Sequence, residues 1–546
     1  MVLKNQIIAR PSRSSRRNSK TDSTNIDTPA DAILQNLRRV SQTVNLCSWT
    51  KALLNDRRPS KYKTSLYITM AILAILWGIF SLTYTPLQMM LSFRLEMTPG
   101  WPQYEWWLSP AEEPLLQVWI FNITNSERFL KGLDKKLKLQ EIGPILYREK
   151  VKHLNPQRHP NGTLSFTTNR TTLFLPKRNN INLKSKVIVP NLGVLMIPAY
   201  FHNSPIFLKF AINVLLNSYN RKLFVEMSIE DYLWNATDPV LVPAEKLAPS
   251  LVPTKNVGIL SVLYKNFVDP VTVFIGNQHG NSKFFTIDKF HGSEYLPHYS
   301  DPSCQSKFRN ASEGMCYPQM ITRDTNLSYW RKSVCKQSDI RYVRDAVVQG
   351  INTYRFELAP WAYSRVEWKG NRDCFAGTPR LPNGIIDASP CYWGFPLVVS
   401  FPHFLHADKD VGSNLEGLNP NLTKHGSYVF IEPMSGLPLE GRARSQINLH
   451  MKTMRGFHSD FQRLENFIIP LVWIEYSQEG IPWYMYWLTY ATTVLVPVLQ
   501  ILLSVFCLSA GGLYLLVLLR RLLQEQKSAL RKREDEALID ALEVRI

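Results

Sequence analysis

The chain has 546 residues, carries a formal net charge of +19 and is 45% hydrophobic. Two long apolar stretches without a charged residue, 64–93 and 481–519, lie near its two ends, which excludes an ordinary soluble domain. A strong positive charge alone would suit a nucleic-acid partner, but a membrane topology argues against one.

The first apolar stretch is long enough to cross a bilayer. Spanning requires about 20 apolar residues, and the apolar core here covers Leu66–Tyr84. A long polar segment precedes it and no small-residue cleavage site stands out, so the sequence predicts an uncleaved signal anchor.

The second stretch, Tyr490–Leu519, is also long enough to cross a bilayer. The aromatic residues from Trp483 to Tyr490 are typical of a membrane interface. The sequence therefore predicts five segments: a basic, largely disordered cytoplasmic tail (1–64), a transmembrane helix (65–88), a glycosylated ectodomain (89–485), a second transmembrane helix (486–519) and a cytoplasmic tail (520–546).

Basic residues flank both stretches on the side away from the ectodomain. Before the first stretch lie 13 Lys and Arg against 4 Asp, and Arg520 and Arg521 follow the second. Positive flanks remain in the cytoplasm, so both termini are predicted to be cytoplasmic. The basic N-terminal tail is interpreted as attracted to anionic lipid.

The predicted ectodomain also contains the chain's Asn-x-Ser/Thr acceptors, whereas the six Asn of the N-terminal tail form none. This distribution agrees with an extracellular or lumenal loop. The acceptors are Asn122, Asn161, Asn169, Asn235, Asn310, Asn326 and Asn421.

Cysteine usage fits an oxidising compartment. Five of the seven Cys lie in the ectodomain, and four of them, Cys304, Cys335, Cys374 and Cys391, are suited to two disulfides. Four cysteines allow three pairings, and their spacing does not choose among them. Cys316 is left over.

Short β-branched and aromatic runs between turn residues predict antiparallel strands. Two other segments, Ser126–Leu133 and Pro205–Lys222, are predicted to be helices. The predicted strands are Leu116–Asn122, Thr163–Thr168, Thr171–Leu175, Val257–Leu263, Thr272–Gly276, Thr353–Leu358, Leu397–Phe401 and Tyr428–Glu432.

The helix predicted at Pro205–Lys222 is the most unusual soluble segment. Lys209, Asn213, Asn217 and Asn220 form one thin polar stripe at helical spacing, and apolar residues cover the rest. Two interpretations stay open: the helix packs inside a small bundle, or its apolar surface docks a ligand. Arg221 and Lys222 at its end would contact anionic head groups or complement the helix dipole.

Several motifs, in order along the ectodomain, resemble the class B scavenger receptor family, most closely its insect-type members. The motifs are FNITNSERFLKGLDKKLKLQEIGPILYREK (residues 121–150), NGTLSF (161–166), Leu233-Trp234 with Asp238-Pro239, GIIDASPC (384–391), FPHFLHAD (401–408), GLNPN (417–421) and IEPMSGLPL (431–439).

This resemblance implies an α+β membrane protein whose two transmembrane helices flank a large ectodomain. The ectodomain would have an antiparallel β-barrel-like core, an internal hydrophobic tunnel and a distal helical bundle. The resemblance places a ligand-contacting apex at the helix predicted from Pro205, with the contact residues Phe207, Leu208, Lys209, Phe210, Arg221 and Lys222.

The resemblance also selects the disulfide pairing, Cys304 with Cys374 and Cys335 with Cys391. A third family bridge is missing because its positions, near Ala376 and Leu381, are not Cys. Cys316 departs from the family pattern and is expected to be free.

By resemblance, the protein binds lipids, fatty acids, sterols, carotenoids or lipoprotein particles at the plasma membrane and supports their uptake or passive transfer. The alternative is an endosomal or lysosomal receptor for lipid transport or protein sorting. A homo-oligomer is left open.

An acidic dileucine-like pattern, Glu534 with Leu538 and Ile539, suits clathrin adaptors, but the same residues also fit an amphipathic helix with apolar positions every seven residues.

Other function classes fit the sequence less well. His403, His406 and Asp408 have loop or strand spacing rather than a metalloprotease pattern, and no nucleophile elbow or phosphate loop is visible. Neither an enzyme nor a cofactor or metal site is predicted. A two-span ligand-gated channel shares the topology, but polar pore-facing positions are scarce in Leu66–Tyr84.

Overall fold

The structure is a computed structural model that describes residues 61–83, 86–110, 114–219, 221–247, 249–250, 252–265, 269–296, 306–364 and 381–543. Chain contacts divide the molecule into two compact units. One contains the helical segments up to Ile79 and from Ser504 onward, and the other runs from Phe80 to Leu503.

The α-helices are α1 (Lys61–Thr83), α2 (Pro86–Leu95), α3 (Pro102–Leu108), α4 (Ser126–Leu130), α5 (Leu192–Tyr200), α6 (Ile206–Ser218), α7 (Leu241–Leu247), α8 (Ile259–Lys265), α9 (Leu422–His425), α10 (Ser459–Gln462), α11 (Trp483–Tyr490) and α12 (Val496–Glu543). Single π-helical turns lie at Asp231–Asn235 and Ala491–Leu495.

The strands are β1 (Leu115–Ile123), β2 (Leu137–His159), β3 (Thr163–Phe174), β4 (Lys186–Pro190), β5 (Phe224–Ser228), β6 (Asp269–Phe274), β7 (Ile287–Phe290), β8 (Ala311–Ser312), β9 (Leu327–Arg331), β10 (Lys336–Val348), β11 (Ile351–Leu358), β12 (Ile385–Asp387), β13 (Leu397–Ser400), β14 (Leu415–Glu416), β15 (Tyr428–Glu432), β16 (Leu437–His450) and β17 (Ile468–Gln478).

One large, mainly antiparallel sheet forms the core of the second unit. Its main order is β7-β6-β3-β2-β1-β17-β16-β15-β11-β10-β9-β8, with β12 and β13 attached to β16 and β14 to β2. The central strand β17 (IIPLVWIEYSQ) is rich in β-branched and aromatic residues and is buried over nearly its whole length.

The sheet is nearly closed into a barrel because its two edges meet through side chains. The Phe290 ring on β7 lies 5.4 Å from the Trp330 ring on β9. Lys332, which follows β9, donates from Nζ to the Asp269 carboxylate on β6 at 2.5 Å. We call this edge-to-edge contact the seam.

A helical cap covers the end of the barrel where β17 begins. Helix α5 is almost entirely buried, and its neighbour α6 contributes Ile212 and Leu216 to the same apolar core. Since β17 runs from Ile468 toward α11, the cap lies at the end of the barrel opposite α11. The expected α+β fold class, with a barrel-like core and a distal helical bundle, is confirmed.

The strand predicted at Val257–Leu263 is wrong, because this segment enters helix α8. Val257, Ile259, Leu260, Val262 and Leu263 are all buried within the cap. A segment that is apolar on every side lacks the alternation of a strand, so its hydrophobic pattern cannot distinguish a buried strand from a buried helix. The other predicted strands lie in or overlap β1, β3, β6, β11, β13 and β15.

The disulfide implied for Cys335 and Cys391 is present, with an S–S distance of 2.02 Å. Cys316 is unpaired and buried, and burial raises the pKa of its thiol. Cys304 and Cys374 lie outside the described residues, as does Ala376, so their pairing stays a prediction.

Two helical segments are long and apolar enough to span a membrane, Ser65–Thr83 and Trp483–Ile539. Within the first unit they pack antiparallel at two glycines. A Cβ on Gly511 would lie 2.6 Å from Ile75 Cγ1, and one on Gly78 would lie 2.8 Å from Leu508 Cγ. Small residues let membrane helices approach closely. The second apolar segment continues as α12 well beyond Leu519.

Replacing Gly511 by Leu should therefore lower the stability of the helix pair by about 1–3 kcal/mol, because the larger side chain overpacks the contact with Ile75. The matched control is Gly512→Leu, since a Cβ at Gly512 has no neighbour within 4 Å. Thermal unfolding of the detergent-solubilised full chain should show a lower midpoint for Gly511→Leu alone. Equal midpoints would contradict the glycine contact.

Candidate functional site

Lys209 and Asn213, the first half of the polar stripe on α6, face the 455–458 loop. Lys209 is 9% exposed, and its Nζ donates to the Arg455 carbonyl at 2.9 Å. Asn213 donates from Nδ2 to the Gly456 carbonyl at 2.9 Å and accepts from the His458 amide at 3.2 Å. Lys209 and Asn213 thus pair with backbone groups of the 455–458 loop and fix the helix against it.

The opposite face of α6 is apolar and exposed. Phe207 is 73% exposed and Phe210 is 68% exposed. Together with Ile206, Val214 and Leu215 they form what we call the α6 face. Contiguous exposed apolar side chains of this kind are typical of an interaction site rather than of a protein core.

Basic residues border the α6 face. Lys222 is exposed. Arg221 hydrogen bonds Asn217 and lies 3.8 Å from the Asp460 carboxylate. Arg455, whose carbonyl holds Lys209, is also exposed.

The six contact residues expected at the apex divide into different environments. Phe207, Phe210 and Lys222 are exposed, while Leu208 is half-buried against the core and Arg221 is tied to Asp460. The expected ligand contact of Lys209 is corrected. Its ammonium lies 5.5 Å from the centre of the Phe457 ring and donates to the Arg455 carbonyl, so the side chain positions the helix instead of facing a ligand.

Beneath the cap lies a small apolar cavity of about 30 Å³, which we call the upper cavity. Its only polar side-chain groups are the hydroxyls of Ser333 and Tyr392. Its walls are formed by Leu192, Met196, Val257, Ile259, Val262, Leu263, Ser333, Ala388, Tyr392, Phe395, Leu397, Val399, Ile447 and Leu471.

A second cavity, the lower cavity, has a volume of about 70 Å³ and is lined in part by Arg331, Ser333, Ile340, Phe356 and Tyr476. Along β17, Leu471 lines the upper cavity and Tyr476 the lower one. At about 3.3 Å per residue these positions are about 16 Å apart, on the way from the cap toward α11.

A tight turn between β9 and β10, residues 331–335, separates the cavities. Ser333 lines both of them. The turn is tethered by the disulfide from Cys335 to Cys391 and by the Tyr392 hydroxyl, which donates to the Ser333 carbonyl at 3.1 Å. Among the described residues, the upper and lower cavities are therefore neighbours that share this turn.

A third, polar space of about 20 Å³ lies at the seam; we call it the seam chamber. Arg331 lines both this chamber and the lower cavity. The chamber is lined by Thr168, Arg170, Asp269, Phe290, Glu313, Trp330, Arg331 and Lys332.

A buried charge network surrounds Arg331. One oxygen of the Glu149 carboxylate accepts from the Tyr264 hydroxyl at 2.8 Å and from Arg331 at 3.4 Å, and the other accepts from Arg170 at 3.1 Å. The Arg331 guanidinium also lies 3.8 Å from the centre of the Tyr476 ring. Burial raises the pKa of Tyr264 and of Tyr476.

Sequence patterns did not identify this internal network. The local sequence around Arg331, between the Asn326 acceptor and Cys335, gives no sign that this residue is buried. Its partners Glu149, Tyr264 and Tyr476 come from distant parts of the chain. Only the closure of the sheet brings them together.

The histidines considered as metal ligands have structural partners. His403 donates from Nε2 to the Glu141 carboxylate at 2.6 Å, accepts from the Asn419 amide and stacks on His425 at 4.3 Å. Burial is the main cause that lowers the pKa of His425 to about 4. Within the described residues, no group of three or more His, Cys, Asp or Glu could hold a metal ion.

The structure distinguishes the seven glycosylation acceptors by accessibility. Asn161, Asn235, Asn310, Asn326 and Asn421 are exposed. Asn122 and Asn169 are half-buried within strands, and both polar atoms of the Asn122 side chain are engaged, with Gln140 and with the Ile188 amide. Glycosylation at the seven positions stays a prediction.

The dileucine-like pattern lies in the last part of α12. Leu538 is 66% exposed and Ile539 is 55% exposed. Both side chains are therefore accessible on a helical segment, and the use of the pattern by adaptors stays a prediction.

Two candidate membrane spans at the two ends of a barrel-like domain define the class of two-span membrane proteins. The CD36 family model matches residues 65–522, so the chain belongs to the CD36 family.

Curated relatives agree with this membership. Mouse (Mus musculus) scavenger receptor class B member 1 is 28% identical over 405 residues, which cover 74% of this chain and 77% of that protein. Human (Homo sapiens) lysosome membrane protein 2 is 26% identical over 367 residues, which cover 67% of this chain and 74% of that protein.

The inward position of Lys209 leads to a direct test. Lys209→Met should lower the free energy of unfolding by about 1–3 kcal/mol, since the Arg455 carbonyl loses its buried donor. The matched control Lys222→Met, at an exposed position at the end of the same segment, should change stability by less than about 0.5 kcal/mol. Denaturation of the full chain in detergent measures both, and equal losses would contradict the positioning role of Lys209.

Proposed function

We propose that the protein is a scavenger receptor that binds lipid or lipoprotein ligands at the α6 face and passes lipid through the ectodomain interior to the membrane. Membership of the CD36 family supports a receptor that handles lipid. The name of the mouse relative, a class B scavenger receptor, points the same way.

The observation that carries the proposal is the exposed α6 face. Fully burying a Phe side chain contributes about 1.5–3 kcal/mol, so contact of Phe207 and Phe210 with an apolar surface would supply several kcal/mol of binding free energy. The basic residues Lys222 and Arg455 beside this face favour a surface that carries anionic groups.

The internal cavities support the transfer step. A lipid that leaves a particle through water loses about 0.8 kcal/mol for each exposed CH₂ group. The upper and lower cavities offer apolar walls in sequence between the cap and α11. Lipid would move down its concentration gradient, since the proposal includes no energy source.

The same proposal places both termini in the cytoplasm and the barrel outside the cell or in a lumen. The basic flanks support this orientation, as do the five exposed acceptors on the barrel unit. The plasma membrane is the proposed location.

The ligand test replaces Phe207 and Phe210 by Asp in the full chain. Uptake of fluorescently labelled lipoprotein particles by cells that express this variant should fall roughly 10-fold or more, because two apolar contacts are replaced by charges. The matched control is Leu173→Asp, which changes an apolar side chain that is 52% exposed on β3, away from α6.

Uptake must be compared at equal surface expression of the three proteins. Unchanged uptake by the Phe207→Asp, Phe210→Asp variant would contradict binding at the α6 face. A purified wild-type chain that yields no extractable lipid after incubation with fatty acids, sterols and carotenoids would contradict the transfer step.

An endosomal or lysosomal location is the second candidate. The exposure of Leu538 and Ile539 favours it because a sorting adaptor needs both side chains accessible. The relative named lysosome membrane protein 2 supports the same compartment.

Replacing both Glu534 and Leu538 by Ala should move an endolysosomal pool of the protein to the cell surface. The matched control is Leu530→Ala, since Leu530 is exposed on the same helix but lies outside the pattern. Quantitative surface labelling measures the shift. An unchanged distribution would remove the sorting proposal without affecting ligand binding.

A further inference from the structure

The turn of the β10–β11 hairpin is apolar. Residues 346–354 carry no charge, and the first charged residues on the two strands are Asp345 and Arg355. The side chain of Val347 at this turn is 66% exposed. Turns that face water are typically built from Gly, Pro, Asn, Asp and Ser, whereas this turn begins with two valines. Its composition therefore suits a neighbour that is less polar than water.

The hairpin turn is fixed to α11, the helix that begins the second candidate membrane span. The Tyr486 hydroxyl donates to the Gln349 carbonyl at 2.9 Å. A Cβ on Gly350 would lie 3.8 Å from Tyr490 Cε2. Val348 packs against the same apolar cluster as the two tyrosines. The turn and the start of the candidate span therefore form one continuous surface.

Aromatic side chains of α11 complete this surface. Trp487 is 57% exposed, and its ring centre lies 5.4 Å from that of Tyr486 and 5.8 Å from that of Tyr490. Trp and Tyr are enriched where a membrane meets water, because their rings have both an apolar body and a polar group. We call Val347, Gln349, Tyr486, Trp487 and Tyr490 the base patch.

The length of the apolar helix decides the height of the base patch. As a helix with a rise of 1.5 Å per residue, Tyr490–Leu519 extends about 45 Å. A bilayer with its head groups is about 40–45 Å thick, and an average tilt of about 20° shortens the helix to about 42 Å along the membrane normal. With Arg520 at the far surface, Tyr490 therefore lies within the head-group layer on the side of the barrel.

A second pair of exposed aromatic side chains lies on the segment that follows the first candidate span. Phe93 is 47% exposed, Trp101 is 46% exposed, and their rings stack at 5.5 Å. Between them along the chain, Leu95 and Met97 are buried in the same apolar cluster as Met485 of α11. This aromatic pair and the base patch are therefore attached to one shared core.

We propose that the barrel rests on the bilayer through the base patch, with the β10–β11 turn inserted among the phospholipid head groups on the barrel's side. The partner is the surface of the membrane that the chain itself crosses. Continuity of the turn with α11 favours this surface over a protein partner. The contact holds the barrel in a fixed orientation to the membrane, and it does not depend on whether lipid passes through the interior.

The test places an environment-sensitive fluorescent amino acid at position 347 of the full chain, in nanodiscs whose phosphatidylcholine carries a spin label on its head group. The matched control has the same fluorophore in place of Val343, which is 44% exposed on the same strand. Because quenching falls steeply with distance and the two positions are about 13 Å apart, emission at 347 should fall roughly two-fold or more, while emission at 343 changes little.

The wild-type chain provides a second measurement, which holds even if a labelled variant fails to fold. A phosphatidylcholine with a photoreactive group beside its head group should crosslink to the 346–353 turn and to the segment with Phe93 and Trp101. It should not crosslink to the α6 face, which is equally apolar and exposed but lies on the cap at the other end of the barrel. Mass spectrometry of the digested chain identifies the crosslinked peptides.

Each contrary outcome is specific. Unquenched emission at 347, or a turn without crosslinks, would overturn the proposal. Equal quenching at 347 and 343 would overturn the insertion of the turn alone. Blue-shifted emission at 347 that the spin-labelled lipid does not quench would assign the turn to a protein partner, a second copy of this chain included, and would also overturn the proposal. None of these results bears on ligand binding at the α6 face.

Discussion

The pairing of β1 with β17 is the constraint on which the architecture depends. These strands come from the two ends of the ectodomain sequence, and their register places Leu115 opposite Ser477. The segments that lead toward the two apolar helices therefore start from neighbouring strands at one end of the barrel. This pairing also fixes the opposite end, because β1 and β16 both run toward the cap end, where β2 and β17 begin.

The cap shows how a local pattern can be inverted by distant contacts. From its composition alone, α6 would be expected to pack through Phe207 and Phe210 and to expose Lys209. Instead, carbonyl groups of Arg455 and Gly456, more than 240 residues further along the chain, accept hydrogen bonds from Lys209 and Asn213. The cost of leaving unpaired polar groups in the interior outweighs the gain from burying the apolar side chains.

Much of the fold could be predicted from the sequence where its signals are local. The apolar stretches predicted the two helices that are long and apolar enough to cross a membrane. Strand β15 begins and ends at the predicted residues, Tyr428 and Glu432. Which face of α6 is exposed, and that residues 259–265 form a helix, could not be predicted because contacts with distant parts of the chain decide both. The disulfide between Cys335 and Cys391 needed the family resemblance, since spacing left three pairings open. The internal site at Arg331 exists only through closure of the sheet, which no local pattern encodes.

Helix α12 continues without a break from the apolar segment through the dileucine-like pattern to Glu543. At 1.5 Å per residue, the 18 steps from Arg520 to Leu538 correspond to about 27 Å of rigid rod. Such a rod fixes both the distance of Leu538 from Arg520 and the direction in which Leu538 points around the helix axis. Each residue inserted into it would move Leu538 outward by about 1.5 Å but turn it by about 100° around the axis. The direction in which this leucine points is thus far more sensitive to insertions than its distance.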